Sequence, residues 1–146
     1  MQGGSQASAG STAGRNGDKV QLWTCTGNNN QFWIPIDWET PLPPGVMHSA
    51  ATRMVNAKYQ SECLNADDSH GLANGSKVQL WSCSVRSLNG QWLFPYWYGK
   101  GGGSRSNFRL ATIADFVLDA KSQSLGNGDK IQIWHPDGGT YQDWRQ

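Results

Sequence analysis

The chain has little of what several protein classes require. Its 146 residues contain no apolar stretch near the ~20 residues that a membrane-spanning helix needs. Lysine and arginine are scattered rather than clustered, and the net charge is only +1, which argues against nucleic acid as a partner. The first ten residues lack the apolar segment of a signal peptide. The sequence therefore gives no sign of a membrane span or a nucleic-acid-binding face.

Helical periodicity is also scarce, whereas turn residues occur throughout the chain. The chain has 18 glycines and 8 tryptophans, and its turn residues bound many short stretches, as is typical of an all-β domain. At this length a single domain over residues 1–146 is the default, and it is large enough to bury a core.

One phrase, Asn-Gly-x-Lys-(Val/Ile)-Gln-(Leu/Ile)-Trp, occurs three times. It occupies residues 16–23, 74–81 and 127–134, at spacings of 58 and 53 residues. Such a recurrence predicts three copies of one structural unit, which either stack in a row or close into a ring. We name them copy one (about 1–46), copy two (about 47–104) and copy three (about 105–146).

Each phrase predicts a turn followed by a strand. Asn-Gly favours a type I′ hairpin turn, because both residues tolerate positive φ. Alternation along the strand then places the two aliphatic residues on the core face and the lysine, glutamine and tryptophan on the opposite face. A tryptophan on the non-core face is unusual, because tryptophan is mostly buried. The paired glutamines and tryptophans are Gln21 with Trp23, Gln79 with Trp81, and Gln132 with Trp134.

Two of the cysteines also follow the repeat. Cys63 lies 20 residues before Cys83, on the other side of the predicted turn. Copy three has Val117 and Pro136 at the two matching positions, so both cysteines are absent together there. We therefore expect a Cys63–Cys83 disulfide bond, which implies an oxidising compartment.

The beginning of the chain is the least patterned part. Residues 1–15 are rich in Gly, Ser, Ala and Gln and are not expected to supply two strands. Cys25 has no visible partner, because the cysteine spacing leads to Ser5, in a stretch that does not look like a strand. The last copy stops inside its final strand. Either the chain is a piece of a longer polypeptide, truncated at both ends, or it is a short variant with a degenerate first copy.

The repeated motifs resemble those of the ricin B-chain-like lectins. That family combines Cys-Leu-Asp, Asn-Gly-Thr, Val-Gln-Leu-Trp-x-Cys and Asn-Gln-x-Trp, and three matches in register cover most of this chain. The resemblance implies an all-β β-trefoil, in which the copies close into a ring. The first and fourth strands of each copy would build a barrel, and the second and third would form hairpins that cap it. It also implies a core position for the second tryptophan of each copy: Trp33, Trp92 and Trp144.

The family site implies an acid, a glutamine, an aromatic ring and an asparagine around one sugar. Carboxylates and amides can hydrogen-bond sugar hydroxyls, and the ring can stack on the apolar sugar face. Copy three retains the acid, and its implied set is Asp119, Gln132, Trp134, Tyr141 in place of the asparagine, and Gln142.

The other two copies depart from the family pattern at the acid. Copy two has Asn65 there, with Asp67 or Asp68 as a substitute acid, and Ser8 falls at the matching position of copy one. We expect the copy-two site to be weaker or altered, and if the chain is a piece of a longer polypeptide, the aspartate of copy one lies upstream. The remaining implied ligands are Gln79, Trp81 and Asn89 in copy two, and Gln21, Trp23 and Asn30 in copy one.

Purely structural roles compete with these assignments. The repeated glutamines could instead bond backbone, Asp119 could be a turn acid, and the repeated tryptophans could be packing residues. The three histidines have no ligand spacing, so no metal or other cofactor is expected. No acid–base pair or nucleophile motif indicates catalysis.

The sequence therefore favours a non-catalytic carbohydrate-binding module, secreted and attached to a larger polypeptide such as an enzyme or toxin. Galactose- and xylose-type glycans would both suit the implied ligand set. The alternative is a β-trefoil that binds protein or acts as a scaffold, with degenerate sugar sites.

Overall fold

A computed structural model describes residues 5–10, 14–37, 51–84, 87–93, 107–111, 115–121 and 125–144. Within these ranges the regular structure is ten β-strands and three short 3₁₀ helices, and no α-helix is present. The predicted boundaries between the copies, after residues 46 and 104, lie outside the described residues.

The strands repeat in the same order in each copy. Copy one contains β1 (Ser5–Ala9), β2 (Val20–Thr24) and β3 (Trp33–Asp37). Copy two contains β4 (Ala51–Asn56), β5 (Glu62–Ala66), β6 (Val78–Ser82) and β7 (Trp92–Leu93). Copy three contains β8 (Arg109–Leu110), β9 (Val117–Ala120) and β10 (Ile131–Trp134). A 3₁₀ helix precedes the second tryptophan of every copy, at Asn29–Gln31, Leu88–Gly90 and Thr140–Gln142.

Two kinds of strand pairing dominate the molecule, and single residue pairs in β4–β5 and β8–β9 connect them. The hairpins β1–β2, β5–β6 and β9–β10 are antiparallel, and they are the second and third strands of their copies. The pairs β3–β4, β4–β7 and β7–β8 join first and fourth strands within and between copies. This division into barrel strands and capping hairpins is the predicted β-trefoil arrangement.

The copies close into a ring through their Asn-Gly turns. The Gly17 amide donates to the Leu80 carbonyl at 2.8 Å, so the turn of copy one docks on the strand of copy two. Gly75 donates to Ile133 at 2.9 Å, which joins copy two to copy three in the same way. Gly128 then donates to Leu22 at 2.8 Å and completes the circle. The turns therefore settle the choice between a row and a ring in favour of the ring.

The predicted turn type was wrong. In the three Asn-Gly turns only glycine has positive φ, for example 93° at Gly75, and Leu125 is the one described non-glycine residue in that region. The Ser76 amide donates to the Ala73 carbonyl at 3.0 Å, as in a type II turn, which needs positive φ only at its third residue. The reason is loop length: β5 ends at Ala66 and β6 begins at Val78, so Asn74-Gly75 is not a two-residue hairpin connection.

The expectation that the beginning of the chain contains no strand was also wrong. Residues Ser5–Ala9 form β1, which pairs with β2 along its whole length. Ala9 is buried and Ala7 packs against the core, so small side chains suffice where β2 supplies the larger ones. Pairing with a neighbouring strand overrides weak local propensity. The register also places Gln6, rather than Ser5, at the position of Cys63, because it lies opposite Trp23 as Cys63 lies opposite Trp81.

The core contains the aliphatic residues of the repeated phrase and Trp92, whereas Trp33 and Trp144 are partly buried and pack against it. Val20, Val78 and Ile131 are fully buried, as alternation predicted. Each second tryptophan donates its indole N–H to a strand carbonyl at the same place in its copy. The three bonds are Trp33 to Ala7 at 2.9 Å, Trp92 to Leu64 at 3.0 Å and Trp144 to Leu118 at 2.9 Å.

The disulfide bond joins Cys63 to Cys83, as the sequence predicted, and Cys25 is free. In copy three, which lacks both cysteines, Phe116 stacks on His135 with ring centroids 4.9 Å apart. Because Phe116 precedes Val117 and His135 precedes Pro136, this stack lies one residue from the positions that the disulfide occupies in copy two. An aromatic contact thus joins the two sides of the copy-three hairpin, which has no disulfide bond.

We predict that Cys63→Ser lowers the free energy of unfolding by about 3 kcal/mol, because a disulfide across a loop of this size restricts the unfolded chain. The measurement is urea denaturation of the oxidised protein and the variant. Cys25→Ser is the matched control and should leave the midpoint unchanged. Equal stability of the Cys63 variant and the parent protein would contradict the prediction.

Candidate functional site

The capping hairpins bring the predicted site residues together in cross-strand pairs. Asp119 lies opposite Gln132 in β9–β10, and Asn65 lies opposite Gln79 in β5–β6. In copy one the same register pairs Ser8 with Gln21. The position of the family acid is therefore structurally equivalent in all three copies, although its residue type differs.

In copy three the carboxylate of Asp119 is held by two side-chain amides. Gln132 Nε2 donates to Asp119 Oδ1 at 2.8 Å, and Gln142 Nε2 donates to Oδ2 at 3.0 Å. Asp119 is only 3% exposed, and neither of these partners carries a positive charge. Burying a carboxylate without a cation is costly, because amide hydrogen bonds replace only part of its hydration.

Burial raises the pKa of Asp119 above its ordinary value of 3.8. The hydrogen bonds from Gln132 and Gln142 oppose this effect, since they favour the ionised form. A second carboxylate, that of Asp137, adds a further upward shift by charge repulsion. Copy three thus holds an acid whose proton affinity is increased by the fold.

Gln142 also fastens the loop beside the site. Its Oε1 accepts from the Asp137 amide at 3.0 Å, and its Nε2 reaches the His135 carbonyl at 3.0 Å. Gln31 makes the equivalent bonds to Thr26 and Thr24 in copy one, at 2.7 and 2.8 Å. The glutamines that bond backbone are therefore Gln31 and Gln142, two residues before the second tryptophan of their copies. The glutamines of the repeated phrase, Gln79 and Gln132, instead bond the side chains opposite them.

The hydroxyl of Tyr141 bonds Asp137 rather than Asp119. It donates to Asp137 Oδ2 at 2.8 Å, and this bond is the main reason that the pKa of Tyr141 is raised. Tyr141 therefore does not repeat the bond that asparagine makes at this position in the other copies, where Asn89 reaches the Ala66 carbonyl at 2.8 Å. It places a phenol ring and the Asp137 carboxylate beside the site instead.

The tryptophans of the repeated phrase are partly exposed, as alternation predicted. Trp134 is 36% exposed and Trp23 is 39% exposed, while Trp81 is intermediate. Trp134 lies against the turn of copy two, since a Cβ added to Gly75 would come 3.7 Å from its ring and 3.9 Å from Gln132 Oε1. Copy two thus contributes one border of the copy-three site.

The site of copy two is neutral. Asn65 Oδ1 accepts from Gln79 at 3.1 Å and, more weakly, from Asn89 at 3.4 Å. Gly90 stands where the other copies have Gln31 and Gln142. It lies against Asn65, since a Cβ at Gly90 would be 3.3 Å from Asn65 Nδ2. Within the described part of the chain, the buried oxygens Asn89 Oδ1 and Gln91 Oε1 have no hydrogen-bond partner. Copy two therefore has polar atoms that can still accept a hydrogen bond, but it has asparagine instead of an acid opposite Gln79.

Copy one has the smallest polar set. Asn30 Nδ2 donates to Ser8 Oγ at 2.9 Å and to the Ala9 carbonyl at 3.2 Å. Gln21 packs over Gly10, where a Cβ would come 2.8 Å from its amide carbon. A serine hydroxyl is too short to take over both carboxylate contacts that Asp119 makes.

Two components of the site were not predicted from the sequence. Asp137 and Gly75 both border copy three, one from the loop after β10 and the other from a different copy. Asp137 has a local signal, because it stands beside the glycines Gly138 and Gly139 in a loop. Gly75 has none, because its role depends on how the ring closes.

No group of three or more His, Cys, Asp and Glu residues suited to a metal ion occurs among the described residues. Over the same residues, no helix has the length and hydropathy needed to cross a membrane.

The family profile described as "Ricin-type beta-trefoil lectin domain" matches residues 6–144. The chain therefore belongs to this family, whose domains bind carbohydrate. No curated protein matches the sequence significantly.

Solved structures of similar fold support the architecture. The designed threefold-symmetric protein ThreeFoil has a TM-score of 0.77 and 18% identity, over 97% of this chain and 89% of that one. An exo-β-1,3-galactanase from Clostridium thermocellum has a TM-score of 0.70 and 22% identity, over 91% of this chain and 25% of that one. A mosquitocidal holotoxin has a TM-score of 0.72 and 15% identity, over 99% of this chain and 17% of that one.

The pKa shift of Asp119 predicts a pH-dependent stability difference between the protein and Asp119→Asn. The folded carboxyl binds its proton more tightly than the unfolded one, so the ionised form is penalised. Relative to the variant, the protein should lose stability as the pH rises above 3.8 and through the folded pKa. Urea denaturation of both proteins between about pH 3 and about pH 7 measures this. A difference that stays constant, or that favours the acid as pH rises, would refute it.

Proposed function

We propose that this chain is a non-catalytic carbohydrate-binding domain and that copy three is its principal site. The observation that carries the proposal is the carboxylate of Asp119, which is buried against two amides without a cation. Such a group reduces stability, and it is best explained by a ligand that uses its charge.

The other copies indicate that the fold does not require this charge. Ser8 and Asn65 occupy the same register position opposite a glutamine, and both hairpins form. A neutral residue therefore satisfies the structure at this position. The retention of an acid in copy three alone is consistent with a binding role there.

The chemistry of the site suits a sugar. Each oxygen of Asp119 accepts one amide hydrogen and keeps capacity for another, so the carboxylate can accept from two adjacent hydroxyls. Gln132 can donate and accept beside it, and the partly exposed ring of Trp134 lies on the same strand face, where it can stack on the apolar side of a sugar. Tyr141 and Gln142 complete the border.

Copies one and two would contribute weaker binding through neutral groups. Asn65, Gln79, Trp81 and Asn89 form one set, and the other comprises Gln21, Trp23 and Asn30. A weak second site still matters for a polymeric glycan, because linked sites raise overall affinity by about 10²–10⁴ when the geometry permits. Galactose- and xylose-type glycans are the first ligands to test.

The proposal extends to the setting of the protein. The disulfide bond favours an extracellular location. Two of the structures of similar fold are much longer than this chain, which supports a module that works as part of a larger polypeptide.

A protein-binding role is the second candidate. Phe32, which directly precedes β3, and Ile34 and Ile36 within it stand at alternate positions and are 47%, 50% and 37% exposed, so they present an apolar stripe on one face. This stripe lies outside the site sets of all three copies. It favours a contact with protein in addition to, or in place of, glycan binding.

We predict that Asp119→Ala weakens glycan binding at least about tenfold, because hydrogen bonds to a charged acceptor contribute about 1.5–3 kcal/mol each. A glycan array of galactose- and xylose-type ligands identifies the ligand, and titration calorimetry gives its affinity. Because the chain has 8 tryptophans, fluorescence of the protein is compared with that of Trp134→Phe to show whether Trp134 is perturbed by the ligand.

The matched control is Asp115→Asn, which removes another carboxylate of copy three, paired with Arg109. It should bind the glycan with unchanged affinity. Equal binding by Asp119→Ala and the parent protein would exclude copy three as the site, and binding to none of the glycans would favour the protein-binding candidate.

A further inference from the structure

A pair of lysines lies beside the copy-three site. The Lys121 amide donates to the Lys130 carbonyl at 2.9 Å, which continues the β9–β10 ladder by one pair beyond Ala120 and Ile131. Because side chains alternate along a strand, Lys121 lies on the same face as Asp119, and Lys130 on the same face as Gln132. The site pair and the lysine pair are therefore neighbours on one surface.

The equivalent positions in the other copies carry no such pair. In copy two the Asp67 amide donates to the Lys77 carbonyl at 2.9 Å, so opposite charges face each other. In copy one the Gly10 amide donates to the Lys19 carbonyl at 3.1 Å, and only one charge is present. Two cations in direct cross-strand register occur only beside the copy that retains its acid.

The pair is unfavourable for the fold. Like charges directly opposite each other destabilise an antiparallel pair. Burial lowers the pKa of Lys130, and the charges of Lys121 and Lys77 lower it further, while Asp67 partly opposes them. Among the described residues, no carboxylate forms an ion pair with Lys121 or Lys130. The positive charge beside the site is thus only partly compensated within the protein.

A contact from a different copy orients one of these cations. Lys130 Nζ donates to the Gly75 carbonyl at 3.0 Å, in the turn that borders Trp134 and Gln132. One of its three hydrogens is used in this bond, so others remain for a ligand. Lys77 makes the corresponding bond to Gly17, at 3.1 Å.

We propose that the copy-three site selects glycans that carry an acidic group, a carboxylate or a sulfate, which Lys121 and Lys130 bind while Asp119 accepts the hydroxyls of the same glycan. The inference rests on the proposed function and gives its ligand class. The backbones of residues two apart on a strand are separated by about 6–7 Å, and the long lysine side chains carry their ammonium groups further from the carboxylate, so a glycan of two or more sugar residues is needed to reach both pairs. That separation also keeps the acidic group away from the Asp119 carboxylate.

The test compares neutral and acidic forms of one glycan. The probes are a galactose-terminated oligosaccharide, its sulfated derivative and its glucuronic-acid-capped derivative, each titrated against the protein by calorimetry. The parent protein should bind at least one acidic form about tenfold more tightly than the neutral form at about 50 mM salt. Since the added attraction is electrostatic, the preference should shrink at about 500 mM salt. The two derivatives distinguish sulfate from carboxylate as the group recognised.

The decisive variant is the double substitution Lys121→Gln with Lys130→Gln. It should bring the affinity ratio of acidic to neutral glycan close to one. Lys19→Gln is the matched control, because it removes the equivalent lysine of copy one, and it should leave the ratio unchanged. Relief of the like-charge pair should offset the lost bond from Lys130 to Gly75, so the double variant should melt close to the parent temperature, which excludes loss of folding as the cause.

Two negative outcomes have different meanings. A parent protein that binds the neutral glycan through Asp119 but shows no acidic preference overturns this inference alone. The same holds if the preference survives in the double variant. If no probe binds, or if Asp119→Ala changes nothing, the proposed function itself fails and the lysine pair is not part of a glycan site.

Discussion

The backbone hydrogen bond from each turn glycine to the next copy's strand is the constraint on which the rest of the molecule depends. Gly17, Gly75 and Gly128 each donate to a neighbouring copy, and the three bonds form a closed circle. Only a residue that adopts positive φ without strain suits this turn position, which explains why the glycine recurs. Because the turns hold the hairpins together, they also bring Gly75 and Lys130 to the edge of the copy-three site.

Comparison of equivalent positions in the three copies shows which residues the fold requires and which positions accept different residues. The second tryptophans, the aliphatic pairs and the turn glycines keep the same contacts in every copy. The position occupied by Asp119 does not: serine, asparagine and aspartate all stand opposite a glutamine without altering the hairpin register. Stability therefore fixes the tryptophans and glycines, whereas ligand chemistry is free to vary at the hairpin surface.

The sequence predicted those features that follow from a repeated local pattern with a known physical basis. Alternation placed Val20 inside and Trp23 outside, and paired absence identified the Cys63–Cys83 bond. Prediction failed where a distant partner decides the local structure. β1 forms from small and polar residues because β2 pairs with it, and Asn74-Gly75 is not a hairpin turn because it lies in a longer loop that docks on Ile133 of the next copy. The direction of Tyr141 likewise depends on Asp137, a loop residue whose position could not be derived from strand alternation.

The loops beside the three sites are fastened by different chemistry. Copy two has Gly90 where the other copies have a glutamine two residues before the second tryptophan, and it has a disulfide bond nearby. Copies one and three use the side-chain amides of Gln31 and Gln142 instead. A thiol reductant acts on the first kind of fastening and leaves the second untouched. The redox state of the surroundings would thus act on the β5–β6 hairpin of copy two, whereas the loop beside Asp119 in copy three would keep its hydrogen bonds from Gln142 under reduction.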